Sequence, residues 1–274
     1  MKELHQKSLN DPGRNAMSKP PIFDLTGRVA LVTGASSGLG ERFGRVLAAS
    51  GARVVLGARR ADKLAALKGE IIAAGGEAIA VSLDVADEAS VIAAYDAADA
   101  AFGPVDTVIA NAGMNLEGAI VDLAIEDFDA VMGVNLRGVF LTVREGARRL
   151  LAAGSRERGH GRIVITSSVT AQHVQPGVAV YSASKAAVLQ MGRVLARDWA
   201  RQGINVNMIC PGYIRTALNS DWFDTEYGKK QVDRFPRKRL MEEGDLDAMV
   251  LYLASDASRA VTGTAFTVDD GQTL

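Results

Sequence analysis

Residues 28–40 read RVALVTGASSGLG, and the reading of this stretch decides the fold. "RVALVT" is a short apolar run rich in β-branched residues, and "TGASSGLG", Thr33 to Gly40, carries glycines at positions 34, 38 and 40. From Glu41 to Ser50 the pattern becomes helical. A strand that ends on glycines and feeds a helix lets the chain turn tightly, and it lets a pyrophosphate approach backbone N–H groups at the helix's positive end. A glycine turn alone is weak evidence. Its place between a first strand and a helix is what points to a nucleotide.

Outward from this unit the alternation repeats. "RVVLGA" precedes Asp62 to Ala74, "EAIAVSL" precedes Asp87 to Phe102, "VDTVIA" precedes Glu126 to Leu151, and "RIVITS" precedes a helix after Tyr181. "INVNMI", a short helix near Gly244 to Ala254 and a last strand "TAFTV" complete the series. Apolar strands alternating with helices predict a doubly wound, Rossmann-type, mostly parallel seven-stranded sheet with helices on both faces. No linker, repeat or low-complexity segment interrupts it, so one domain is expected over residues 23–274. The polar opening, residues 1–22, reads as a flexible extension and resembles neither a signal peptide nor a membrane span. In such a sheet ligands sit beyond the carboxyl ends of the strands, where the order reverses. The residues just after each strand are therefore the functional candidates.

The totals narrow the partners. With 31 basic against 32 acidic residues and no long basic run, nothing marks a nucleic-acid or anionic-membrane surface. Cys210 is the single cysteine, which excludes an internal disulfide and a cysteine-rich zinc site. A reducing, cytoplasmic setting and no metal centre are expected.

Past the second strand, "GARR" has Ala58 where an acid would hold the ribose 2′-hydroxyl of NAD, followed by Arg59 and Arg60. A guanidinium there suits a 2′-phosphate, which favours NADP(H) over NAD(H), with Arg59 as main contact and Ser36 or Ser37 helping. Past the fifth strand comes "YSASK", Tyr181 to Lys185. Helical spacing of Val188, Met191, Leu195 and Trp199 puts this segment on a helix, where positions four apart share a face. Alone, the pair reads equally as a buried helix start and a solvated charge.

Taken together these segments resemble the single-domain short-chain dehydrogenase/reductases. The resemblance rests on Gly34, Gly38 and Gly40 in their Gly-x-x-x-Gly-x-Gly spacing, on Asp84-Val85, and on the turn Asn111-Ala112-Gly113. It continues with Asn135 in "VNLRG", with Ser168, Tyr181 and Lys185, and with "PGYIRT". It implies a catalytic tetrad of Asn135, Ser168, Tyr181 and Lys185. It also implies cofactor contacts from Gly34, Ser36, Ser37, Gly38, Leu39, Gly40, Arg59, Asp84, Val85, Asn111, Ala112, Gly113, Tyr181, Lys185, Pro211, Gly212, Ile214 and Thr216. The implied activity is hydride transfer between NADP(H) and a ketone/alcohol or aldehyde/alcohol pair, in a homotetramer or homodimer. One departure is "VDDG" where the family usually has Val-Asp-Gly-Gly, which bears on subunit or lid packing.

Carbonyl reduction needs a hydride on carbon and a proton on oxygen, and a side chain must supply the second. A phenol with pKa near 10 is mismatched to neutral pH, and lowering it by about three units requires roughly 4 kcal/mol of phenolate stabilisation. The Lys185 ammonium has the right sign to lower Tyr181. Ser168 would hydrogen-bond the carbonyl oxygen, and Asn135 would hold a water near Lys185. Candidate substrate walls are Met114, Asn115, Val169, Thr170, His173 and the segment Tyr213 to Tyr227 with Trp222 and Phe223, read as a mobile lid over an apolar substrate.

Other functions weigh against this one. A 3-oxoacyl-thioester reductase would use the same core, with Arg137, Arg144, Arg148 and Arg149 as a carrier-docking patch. A non-catalytic NADP-binding regulator would not need a full tetrad. "GASSG" also matches a nucleophile elbow with Ser36 as nucleophile and His160 or His173 as base. No strand precedes Arg28 to supply the oxyanion loop a serine hydrolase needs.

Overall fold

A computed structural model describes residues 23–215 and 220–274. Its strands are β1 (Val29–Thr33), β2 (Arg53–Ala58), β3 (Glu77–Ser82), β4 (Thr107–Ala110), β5 (Gly161–Thr166), β6 (Ile204–Pro211) and β7 (Ala265–Val268). They form one sheet in the order β3-β2-β1-β4-β5-β6-β7, and every neighbouring pair is parallel. The expected seven-stranded Rossmann-type sheet is present, entirely rather than mostly parallel. Residues 1–22 and Thr216 lie outside the described residues.

The five central strands are buried almost throughout because both faces are covered, while the edge strands β3 and β7 are partly exposed. Val29 and Leu31 of β1 join one core with Val108, Ile163, Ile165 and Val206, while Ala30 and Val32 join the other with Val54, Leu56, Ile109 and Val164. Successive strand residues point to opposite faces, so continuous apolar runs divide into two cores. The first core packs under α3 (Glu88–Phe102), α5 (Val139–Ala152) and α7 (Ala179–Trp199). The second packs under α1 (Gly38–Ala49), α2 (Ala61–Ala73) and α10 (Asp247–Ala254). Short helices α4 (Ile125–Met132), α6 (Ser155–Arg158), α8 (Ser220–Asp224) and α9 (Glu226–Val232) fill the connections.

Local chemistry sets the boundaries. Asp87 caps α3 by accepting from the Ala89 and Ser90 amides, and Gly103 ends it with φ +87°. The expected single helix from Glu126 to Leu151 is divided: between α4 and α5 the residues Gly133–Gly138 widen into a π-helical stretch. Such a widening turns one residue inward out of helical register. Here Asn135 is turned inward and is 0% exposed.

The chain runs outward from β1 to β2 and β3, then returns to lay β4 on the other side of β1. The crevice at that reversal, beyond the carboxyl ends of β1 and β4, is where the glycine turn stands.

Candidate active site

Two glycines of the first turn are required by geometry. Gly34 has φ +71°, and a Cβ there would lie 2.9 Å from the Ala112 Cα. A Cβ on Gly40 would lie 2.2 Å from the Gly34 carbonyl oxygen. The Asn111-Ala112-Gly113 turn thus packs directly on the glycine turn. The Asn111 and Ala112 amides both donate to Thr33 Oγ1 at 3.0 Å, and Asn111 Nδ2 donates to the Thr33 carbonyl at 3.2 Å. Thr166 Oγ1 donates to Asn111 Oδ1 at 3.3 Å, which ties the ends of β1, β4 and β5 together.

At the edge of this cradle Arg60 donates from Nε and Nη2 to Ser36 Oγ at 3.0 and 2.9 Å, and from Nη2 to Ser37 Oγ at 2.6 Å. Arg59, the expected main contact, is exposed and makes no such bond. Of the two arginines, Arg60 is the one bonded to the hydroxyls just before α1. Asp84 Oδ1 accepts from the Ala86 amide at 3.0 Å, and Val85 is buried against Gly138 of the π-helical stretch. Leu39 packs partly buried on the second core.

Beyond β5, Ser168 Oγ accepts from the Thr170 amide at 3.2 Å and from Thr170 Oγ1 at 3.0 Å, so its own proton points elsewhere. Its hydroxyl stands close enough to the Tyr181 phenol, in the first turn of α7, to draw that phenol's pKa down. Lys185, 3% exposed, donates from Nζ to the Thr166 carbonyl at 2.8 Å and lies 5.6 Å from the centre of the Tyr181 ring. The helix pitch does bring phenol and ammonium together, as the four-residue spacing requires.

Their electrostatics differ from the sequence expectation. Burial pushes the Tyr181 phenol above its ordinary value, Ser168 draws it down, and Tyr213 adds a further upward push. The ammonium does not lower it here, because Lys185 is itself stripped of water and pushed down to about 8 by burial. The physical reason is that a dry pocket opposes both charged forms at once.

Asn135 is more engaged than a water holder would be. Its Oδ1 accepts from the Met114 amide at 2.8 Å, and its Nδ2 donates to the Met114 carbonyl at 2.9 Å and to Ser184 Oγ at 3.0 Å. Both amide hydrogens are engaged by protein, so Asn135 fixes the turn after β4 and has a single Oδ1 lone pair left for a water. Gly113 passes between Asn135 Oδ1 and Lys185 Nζ, each 3.4 Å from where a Cβ would stand.

On the far side of the crevice, Pro211 ends β6 and Tyr213 follows Gly212. The Tyr213 ring stacks on Phe235 at 5.3 Å and meets Phe223 edge-on at 6.4 Å, with Trp222 against Phe223 at 4.9 Å. Phe223 and Val169 are interior, 5% and 2% exposed, so they shape the wall from behind. Asn115 and His173 are exposed, and Asn115 Nδ2 donates to Glu117. Ile214 is buried and bridges Met241.

The departure at the C-terminus has a structural counterpart. Asp270, where the family usually has glycine, stands at φ +53°, and its carboxylate accepts from Arg239 at 2.7 Å and faces Arg237 at 3.3 Å. Arg239 holds that carboxyl below its usual range. Residues that the sequence reading did not name are Gln175, Phe235 and Gln272, and it ranked Arg60 behind Arg59. Only Arg60, as the twin of Arg59, carried a signal.

The hydrolase pairing of Ser36 with His160 does not assemble. Ser36 is bonded to Arg60, while His160 lies at the opposite, amino end of the sheet, where its carbonyl accepts from Arg28. The arginines of α5 and the stretch before it are likewise engaged. Arg149 pairs with Asp96, Asp99 and Glu145, Arg144 with Glu88, Arg148 with Glu145, and Arg137 donates to the Ala86 carbonyl.

Residues 28–227 match the family model described as short chain dehydrogenase. The chain is 35% identical over 259 residues to a gluconate 5-dehydrogenase of Gluconobacter oxydans, covering 94% of this chain and 99% of that one. It is 35% identical over 270 residues to an NADPH-dependent aldehyde reductase-like chloroplastic protein of Arabidopsis thaliana, covering 94% and 98%. A crystal structure of a gluconate 5-dehydrogenase from Burkholderia cenocepacia J2315, in complex with NADP and tartrate, superposes with a TM-score of 0.86 at 36% identity, covering 92% and 97%.

Proposed function

The chain belongs to the short-chain dehydrogenase/reductase family and is an oxidoreductase, and from that premise we propose that it interconverts a ketone or aldehyde with its alcohol using NADP(H). The observation that carries this reading is the convergence of Ser168, Tyr181 and Lys185 beyond β5, beside the glycine turn at the sheet's reversal. Relatives named for a sugar acid and for an aldehyde have only the carbonyl–alcohol couple in common.

The residues present fit the dinucleotide. Gly34 and Gly40 let the glycine turn pack tightly on itself and on the Asn111-Ala112 turn just before the α1 N-terminus, where a pyrophosphate would meet backbone N–H groups, and Arg60 with Ser36 and Ser37 offers a cation and two hydroxyls to a 2′-phosphate. These contacts favour NADP(H) over NAD(H), as does the neighbour solved with NADP. When bound, the nicotinamide supplies or accepts the hydride.

The chain's own groups handle the proton. Tyr181 gives its phenolic proton to the carbonyl oxygen as the alcohol forms and takes it back in the reverse direction. Ser168 donates a hydrogen bond to the same oxygen, while Asn135 and the backbone at Met114 keep the floor rigid. Lys185, held by the Thr166 carbonyl, favours the ionised phenol once its own charge is supported.

Residues 23–274 act as one unit, in the cytoplasm, as a homotetramer or homodimer. Phe140 and Leu151 of α5, each 42% exposed, and Val194 of α7, 50% exposed, are suited to a subunit contact. A thioester substrate is less favoured, because the α5 arginines are paired with acids and leave little free cationic surface for a carrier.

The test is NADPH oxidation against ketones, aldehydes and acetoacetyl thioesters. Turnover of simple carbonyls that disappears in Tyr181→Phe supports the reading; turnover confined to thioesters, or surviving in Tyr181→Phe with cofactor binding intact, overturns it.

A further inference from the structure

The sequence suggests an apolar lid over the site, but Tyr213, whose phenol is felt electrostatically by Tyr181, has its hydroxyl held in place. Tyr213 OH donates to Gln175 Oε1 at 2.7 Å, with Gln231 of α9 approaching the same oxygen. Its backbone is clamped at both ends by one side chain from the C-terminal tail: the Tyr213 amide donates to Gln272 Oε1 at 2.6 Å, and Gln272 Nε2 donates to the Tyr213 carbonyl at 3.1 Å. Asp269 holds that tail in place by accepting from the Thr273 amide at 3.0 Å and from Thr273 Oγ1 at 2.5 Å. Stacking on Phe235 fixes the ring plane.

A ring needed only for apolar packing would not require its hydroxyl to be held by Gln175 and its backbone to be clamped by the C-terminal tail. Preorganisation of this kind is what recognition of a polar group demands. The exposed chemistry is complementary to an alcohol. The phenolic oxygen retains lone-pair capacity, and among the described residues Gln175 Nε2 has no partner, leaving two donors free. An apolar ketone closing over this wall would strand those groups, at about 1–3 kcal/mol for each buried polar group left unmade.

The geometry points to Tyr213 as a specificity-determining residue that, with Gln175, recognises a hydroxyl next to the reacting carbon, so the substrate is a polyhydroxylated ketone or its polyol. This rests on the carbonyl–alcohol reading above and refines its substrate class. Sites built to hydrogen-bond a hydroxyl reject analogues that lack it far more strongly than apolar pockets reject added groups.

The experiment compares kcat and KM for xylulose and for 2-pentanone with NADPH, in the native protein and in Tyr213→Phe and Gln175→Leu. It is paired with the thermal shift that xylitol gives in the presence of NADP+. We expect the native protein to favour xylulose by about a hundredfold or more in kcat/KM. Tyr213→Phe should shrink that ratio by about tenfold or more, chiefly through a higher KM for xylulose, and should abolish the xylitol shift. Gln175→Leu, a change in an exposed loop, should move the ratio the same way and serves if Tyr213→Phe fails to fold. Turnover of 2-pentanone without a preference for xylulose, or equal losses for both ketones in the variants, overturns the inference and leaves the carbonyl–alcohol reading standing. No turnover of either ketone overturns the inference, and the carbonyl–alcohol reading falls with it only if aldehydes are inert as well.

Discussion

At the amino edge of the sheet, Arg28 and Arg162 are 7% and 1% exposed, and each is surrounded by acceptors; at the carboxyl edge Lys185 is 3% exposed and has one carbonyl. Arg28 donates to Asp106, Asp256, Thr107 Oγ1 and the His160 carbonyl. Arg162 donates to Asp256 and to the carbonyls of Ser255, Gly159 and Gly161. Burial and the neighbouring Arg28 push Arg162 down to about 10, which still leaves it charged at neutral pH. Burial brings Lys185 to about 8, within reach of a changing environment. One sheet therefore uses buried cations in two ways: the amino edge ties loops together with saturated guanidiniums, and the carboxyl edge keeps an under-supported ammonium beside a phenol.

The largest expected effect is on the chemistry. Tyr181→Phe should lower kcat by about a thousandfold in steady-state NADPH assays with unchanged cofactor affinity. Next is Arg162→Met, which strands three carbonyls and should cost about 3 kcal/mol in urea unfolding while the folded fraction keeps its NADPH affinity. A loss of turnover without a loss of stability in this variant would erase the distinction between the two edges.

A third effect is a pH dependence. Because Lys185 titrates lower in the folded protein, at about 8 against 10.5, the folded state binds fewer protons between those values. Stability of the cofactor-free protein should then rise with pH across that window, by about 3 kcal/mol. Lys185→Met should lack that rise when the two unfolding curves are compared. Smallest is Arg60→Ala, which should weaken NADPH binding by about tenfold while leaving NADH binding unchanged, as read by fluorescence titration.

What could be read from sequence follows what the backbone itself imposes. The strands and the turn Thr33 to Gly40 were legible because periodicity and close approach demand particular residue types, whereas Ser168, Tyr181 and Lys185 were singled out by the resemblance of their spacing to the family's. That Arg60 rather than Arg59 bonds Ser36 and Ser37 was not legible, since the two adjacent arginines carry the same sequence signal. The π-helical stretch at Gly133–Gly138 was hidden because the helical apolar pattern runs across it from α4 into α5. Gln175 and Gln272 reach Tyr213 from separate loops, and such contacts leave no local trace. The direction of the Tyr181 shift depended on burial, which charge spacing alone does not report.

The most direct test of the account is ultraviolet difference titration of Tyr181, taken as native protein minus Tyr181→Phe, without cofactor and then with NADP+. In the free protein the phenol should ionise above its ordinary value of 10.0, as burial requires. With NADP+ bound it should fall by about two units or more, as the added positive charge supports the phenolate. A phenol that titrates at the same pH in both states would contradict the claim that Lys185 and the cofactor together make Tyr181 the acid.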